Sequence, residues 1–205
     1  MESDIGPLLC RLFPLVCEAA KKYVGITRKG HIFEDEIAKS VYIFANESGF
    51  LSHPPRTTLN YDTRSGNRHQ FDASFRKRDR VFLIECKNTK QAAKDYLYYF
   101  NAKIMDYVDC HRNQDLLFSG IFVSVVSVAE SAMKYALAYG IRVVDPVTPP
   151  PELIFQCGDE VLCSLSSDLM KKIISVQEDS EYHIDRLLDE YRYLCSRWRD
   201  IHDAE

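Results

Sequence analysis

Two carboxylates and an amine stand close together in this chain at Asp72, Glu85 and Lys87. Oxygen-only ligands of this kind favour a hard cation such as Mg²⁺ or Mn²⁺. A metal so held can bind a phosphate oxygen and acidify a water while the neighbouring ammonium orients or activates that water. Residues 68–75 and 81–87 read as two β-strands joined by a charged turn. Strand side chains alternate between faces, so Phe71, Ala73 and Phe75 are expected on one side and Gln70, Asp72, Ser74 and Arg76 on the other. Phe82, Ile84 and Cys86 then share a face, leaving Val81, Leu83, Glu85 and Lys87 opposite. With Arg78-Asp79 as a two-residue loop, Asp72 falls across from Glu85 and the three charged groups converge. Arg-Asp is not the preferred Asn-Gly or Asp-Gly turn, so a one-residue slip or a bulge is the alternative register. The competing account is a surface hairpin carrying a Glu85–Lys87 ion pair. Against it, this Glu-x-Lys ends the hydrophobic run 81–84, an uncommon place for three charges without a use.

These residues resemble the PD-(D/E)xK nuclease superfamily, and within it the Mrr-like restriction-endonuclease branch. Phe71 stands where the proline of the motif would be. Gly30-His31-Ile32-Phe33-Glu34 looks like the G-x-x-F-E that opens the first core helix of that branch. Residues 119–124 followed by 138–145 look like its later strand–helix–strand. The resemblance covers roughly residues 28–147. It implies a restriction-endonuclease-like α/β core, with Asp72, Glu85 and the backbone carbonyl of Cys86 holding Mg²⁺ or Mn²⁺. It also implies that Glu34 takes part directly or through a water, and that Lys87 is the catalytic lysine. The implied activity is endonucleolytic hydrolysis of phosphodiester bonds, with DNA the expected substrate ahead of RNA. The rival readings are a non-catalytic nucleic-acid-binding domain and an assembly subunit that keeps the fold.

At 205 residues the chain has length for one domain with a sizeable core. Its 46% hydrophobic content argues against disorder, and no apolar run approaches a membrane span. Seven cysteines without a Cys-x-x-Cys pair, and an acidic start at Glu2 and Asp4, point to reduced thiols in the cytoplasm rather than a secreted disulfide framework. The net charge of −4 counts mildly against a nucleic-acid binder. Its distribution is more informative. Residues 53–94 hold ten Lys/Arg against four Asp/Glu, whereas residues 177–205 hold four against nine. The basic excess surrounds the candidate site, where Arg64, Arg68, His69, Arg76 and Lys90 are the candidate phosphate contacts.

The elements that must position these groups follow from periodicity. Residues 7–24 read as an added helix, or two broken near Pro14. A helix over 31–46 buries Phe33, Ile37, Val41 and Phe44. Glu34 borders that buried stripe, with Glu36 as the alternative inward carboxylate. An edge strand and loop follow, and residues 64–67 form a turn into the hairpin. A helix over 88–112 faces inward with Leu97, Phe100 or Asn101, Ile104 and Val108. A strand at 116–126, a helix at 128–139 and a strand at 141–144 complete a mixed sheet flanked by helices. The organisation expected is thus a helical addition at 1–27, a catalytic core at 28–147 and a mostly helical extension at 148–205. In the extension, Leu188, Tyr191, Cys195 and Trp198 form an apolar stripe that suits a homodimer contact or packing on the core.

Overall fold

The computed structural model describes residues 5–23, 30–54, 61–63, 65–66, 68–89, 94–111 and 116–150. The C-terminal stripe, Arg64, Lys90 and the Arg68 side chain lie outside the described residues, so those expectations find no counterpart here.

Helices α1 (Gly6–Tyr23) and α2 (Gly30–Glu47) come first. α1 is one continuous helix rather than two pieces. Pro14 sits on its exposed side, where a missing backbone donor leaves a carbonyl that water can reach. Its opposite stripe, Leu8, Leu12, Val16 and Ala19, is buried. α2 buries Phe33, Ile37, Val41 and Phe44 at helical spacing, as expected.

The main sheet has five strands in the order β1-β4-β5-β6-β7. They are β1 (Leu51–Ser52), β4 (Ala73–Lys77), β5 (Arg80–Lys87), β6 (Leu117–Ser124) and β7 (Ile141–Val144). β1, β4 and β5 pair antiparallel, and β5, β6 and β7 pair parallel, through α3 (Lys94–Cys110) and α4 (Glu130–Ala138). This is an α/β fold with a mixed sheet between two helical layers, as the sequence pattern required. A separate pair, β2 (Tyr61–Asp62) with β3 (Arg68–His69), forms a small antiparallel hairpin.

The sheet separates two cores. Phe75, Phe82, Ile84, Cys86, Ile121 and Val123 pack under α1 and α2. Val81, Leu83, Phe122 and Ile141 pack under α3 and α4 with Leu97, Phe100, Ile104 and Tyr107. Each fully buried side chain of this size is worth roughly 1.5–3 kcal/mol. α3 can seat closely because β6 carries Gly120 beneath it. A Cβ there would come within 2.8 Å of Ile104 Cδ1 and 3.0 Å of Phe100 Cε1.

Three expectations need correction. Residues 68–75 are not one strand, because Arg68 and His69 pair back to Asp62 and Tyr61 and the chain turns before β4 begins at Ala73. Phe71 therefore escapes the alternation. It packs on the α3 side against Phe100 and Tyr107, while Ala73 and Phe75 face the α1–α2 side. The helix expected over 88–112 also leaves out residues 88, 89 and 111, and its described part, α3, is Lys94–Cys110.

Candidate active site

The hairpin register is the one that places the two acids together. Ala73 pairs with Ile84, Phe75 with Phe82 and Lys77 with Arg80, so Asp72 continues opposite Glu85. The loop is Arg78-Asp79, with positive φ at Arg78 (56°) and not at Asp79. That is the pattern of a type II′ turn with arginine where glycine is usual.

Asp72 stands one residue before β4, at the point where the ladder to β5 would otherwise end. Its N–H donates to the Ile84 carbonyl at 3.0 Å. Its carboxylate Oδ2 accepts the Cys86 N–H at 2.6 Å, taking the place of the next backbone carbonyl. The side chain therefore lies near the plane of the sheet. Because a strand residue points its N–H and C=O to the same side, the Cys86 carbonyl faces this edge as well. Glu85 and Lys87 come from the α3 face, and Glu34, on α2, faces the same cleft as Asp72 from the other side, near enough for its charge to act on it. Asp72 is the meeting point of both layers.

Glu85 is 5% exposed. An isolated carboxylate so buried would cost several kcal/mol, and two ammonium groups offset that cost. Lys87 Nζ donates to Glu85 Oε1 at 2.6 Å. Lys103, from α3, donates to both Glu85 oxygens at 3.0 Å and to the Gln70 carbonyl at 3.3 Å. Lys87 also stands 5.9 Å from the centre of the Tyr96 ring. Glu34 is a third exposed at its side chain, 3.2 Å from His31 Nδ1. His31, Glu34, Asp35, Ala38, Gln70, Phe71 and Asp72 line a half-open cleft of about 330 Å³, polar and apolar in equal measure.

The electrostatics record crowding. Burial first, and then the Glu85 charge, raise the Asp72 carboxyl from 3.8 to about 6, with Glu34 adding to the rise. The Cys86 N–H and Lys87 pull it only partly back. Burial lowers the Lys87 pKa, but the charge and hydrogen bond of Glu85, with Asp72, outweigh it and hold the ammonium above its ordinary value. Burial, then Asp72 and Glu85, push the Cys86 thiol well above its usual range, so it is no nucleophile. The oxygen donors available to a hard cation are Asp72, Glu85, Glu34 and the Cys86 carbonyl. Among the described residues no three acidic, His or Cys side chains close on a common point. Here the Glu85 oxygens are engaged by the ammonium groups.

Of the residues expected at the site, Asp72, Glu85, Lys87 and Glu34 come together, and Glu34 rather than Glu36 lines the cavity. Arg76 does not join them. It lies four residues along β4, roughly 13 Å away at strand rise, and its Nε donates to the Arg78 carbonyl at 2.6 Å. His69 serves a clasp. Its Nε2 is 2.7 Å from Asp106 Oδ2, which also accepts the Ser65 hydroxyl at 2.5 Å, while Oδ1 accepts the Ser65 N–H at 3.0 Å. The Ser65 hydroxyl bond foremost, with Thr63 and His69, holds the Asp106 carboxyl at about 2. This clasp fastens the β2–β3 hairpin to α3. Sequence reasoning missed Lys103, although a signal exists. Tyr96, Phe100, Lys103 and Tyr107 form one helical row, and Lys103 is the lone charge in it.

No family model matches the chain, and no curated protein matches it. A solved structure titled as a protein of unknown function, AF1548, aligns with a TM-score of 0.43 and 16% identity, covering 85% of this chain and 97% of that one. Among the described residues no helix is long and apolar enough to cross a membrane.

Proposed function

We propose that the chain is a metal-dependent endonuclease of the PD-(D/E)xK type, with DNA as the substrate. The observation that carries this reading is the convergence of Asp72, Glu85 and Lys87 with Glu34 beside a cleft, where burial first, and then the charges of Glu85 and Glu34, raise the Asp72 carboxyl to about 6. A cation would favour the ionised carboxylate against both. Mg²⁺ or Mn²⁺, when bound, would draw charge from a phosphate oxygen and lower the pKa of a water. Asp72 and Glu85 would hold it, with the Cys86 carbonyl and Glu34 from the sides. Lys87 acts as an ammonium, since its surroundings keep it protonated. It orients the attacking water and balances the charge that builds on phosphorus as the new P–O bond forms and the leaving oxygen departs. Cutting both strands of a duplex takes two such sites, and a homodimer through the C-terminal stripe would supply them. The reducing cytoplasm is the proposed setting, a reading that the seven cysteines without a Cys-x-x-Cys pair support.

One observation favours the rival, a non-catalytic nucleic-acid-binding or assembly subunit: Glu85 is satisfied by lysines rather than poised with two other acids around one point. Incubation with duplex and single-stranded DNA and RNA, in Mg²⁺, Mn²⁺ or EDTA, decides between them. The expected result is metal-dependent cleavage that Lys87→Ala abolishes with the fold intact. Cleavage by neither metal on any substrate, or wild-type single turnover by Lys87→Ala, rejects the nuclease reading.

A further inference from the structure

We propose that Lys103 is an exchangeable counter-ion of this site. It neutralises Glu85 in the metal-free protein and passes to a phosphate oxygen of the nucleic acid when a divalent cation takes Glu85. The inference rests on the nuclease reading and adds a phosphate-binding residue from outside the Glu-x-Lys motif.

Glu85 offers two oxygens with about four lone-pair positions. Lys103 engages both oxygens at 3.0 Å and Lys87 engages Oε1 at 2.6 Å, so three of those positions are taken. A cation that binds Glu85 through both oxygens must displace an ammonium group, and one that takes the single remaining position on Oε2 meets the Lys103 charge beside it. Lys87 is the harder to move. It lies on the same strand as Glu85, makes the shorter bond and is also attracted by Asp72. Lys103 has the longer bonds and reaches Glu85 from a separate element, α3, so its stem can swing without disturbing β5.

Its third partner sets where it can go. Lys103 donates to the carbonyl of Gln70, and Gln70 lines the cavity with Glu34 and Asp72. Released from Glu85, the ammonium stays tethered at the cavity wall, where a phosphate approaching Asp72 would pass. Charge agrees with this exchange. Glu34, Asp72 and Glu85 when ionised outweigh Lys87 and Lys103 by one negative charge. A bound divalent cation turns that into one positive charge, the complement of a single phosphodiester. Gly120 lets the helix that carries Lys103 seat closely on the sheet.

The test uses the full chain and Lys103→Met, which keeps the stem and removes the charge. If Lys103 competes with the cation, Mn²⁺ titrated calorimetrically into metal-free protein binds about tenfold tighter to the variant, the equivalent of one charge-assisted hydrogen bond. A lysine that merely braced the fold would leave that affinity unchanged or weaken it. Duplex DNA binding with Ca²⁺, followed by fluorescence anisotropy, should weaken several-fold, and its salt slope should fall by about one. Lys103→Arg should restore both. If Lys103→Met does not fold, Lys103→Gln carries the same measurements. Unchanged or weaker Mn²⁺ binding in the neutral variant overturns the exchange, while Mn²⁺ binding that Glu85→Gln abolishes keeps the nuclease reading standing. A wild type that binds no Mn²⁺ overturns both.

Discussion

Replacing Asp72 by asparagine should stabilise the metal-free protein at neutral pH while destroying its metal affinity. The carboxyl titrates at 3.8 in an ordinary setting and at about 6 in the fold. Between those values the native state holds a proton that the unfolded chain has lost. The contribution to stability is therefore fully present below 3.8 and is lost as pH rises through about 6. Two units at 1.36 kcal/mol each give an upper bound of about 3 kcal/mol for the destabilisation carried by the ionised group. The amide oxygen of the replacement can still accept the Cys86 N–H. Exchanging a charged acceptor for a neutral one forfeits about 1 kcal/mol, which leaves a net gain of about 1–2 kcal/mol. For a chain of this length that is roughly 3–6 °C in Tm. Thermal melts of wild type and Asp72→Asn in EDTA, near pH 8 and near pH 4, are the assay. The gain should be present at the higher pH and absent at the lower, and millimolar Mn²⁺ should reverse the order by stabilising only the wild type. An asparagine variant no more stable than wild type near pH 8, or equally stabilised at both pH values, refutes the electrostatic reasoning.

Glu85→Gln should lose Mn²⁺ binding in calorimetry and should destabilise the metal-free fold by about 2–4 kcal/mol in urea melts, because Lys87 and Lys103 would face a neutral amide. Gly120→Val should cost about 1–3 kcal/mol in the same melts by wedging α3 away from β6. Arg78→Gly should raise stability by about 1 kcal/mol, since the positive φ there no longer opposes a Cβ. Asp106→Asn should speed hydrogen exchange at the Ser65 amide and leave β5 and β6 amides protected, as expected if the clasp holds only the small hairpin.

The legible part of this molecule was what alternation and helical period control. Asp72 opposite Glu85 followed from a two-residue loop, and the register holds even with arginine at positive φ. Glu34 at the border of the buried stripe of α2 followed from its spacing with Ala38 and Val41, and the family resemblance favoured it over Glu36. What escaped was set by contacts between elements distant in sequence. Phe71 left its expected face because Phe100 and Tyr107 offered an aromatic pocket on the other side. The 68–75 run broke because Asp106 holds His69 and Ser65 away from β4. Arg76 counted as a site residue by charge alone, and strand rise carries it to the far end of the sheet. Lys103 belongs to α3, and only the crossing of α3 over β5 brings it to Glu85.

The bond from the Cys86 amide to the Asp72 carboxylate gives the protein a built-in spectroscopic reporter. Whatever changes the charge on Asp72 must change the polarisation of that N–H. Proton uptake would weaken the pull on the amide hydrogen and move its resonance upfield. A cation sharing the carboxylate would do so to a different degree. One labelled backbone nitrogen, deep in the sheet and away from solvent, would thus follow the state of the site. It would do so in a protein that has been neither mutated nor supplied with substrate.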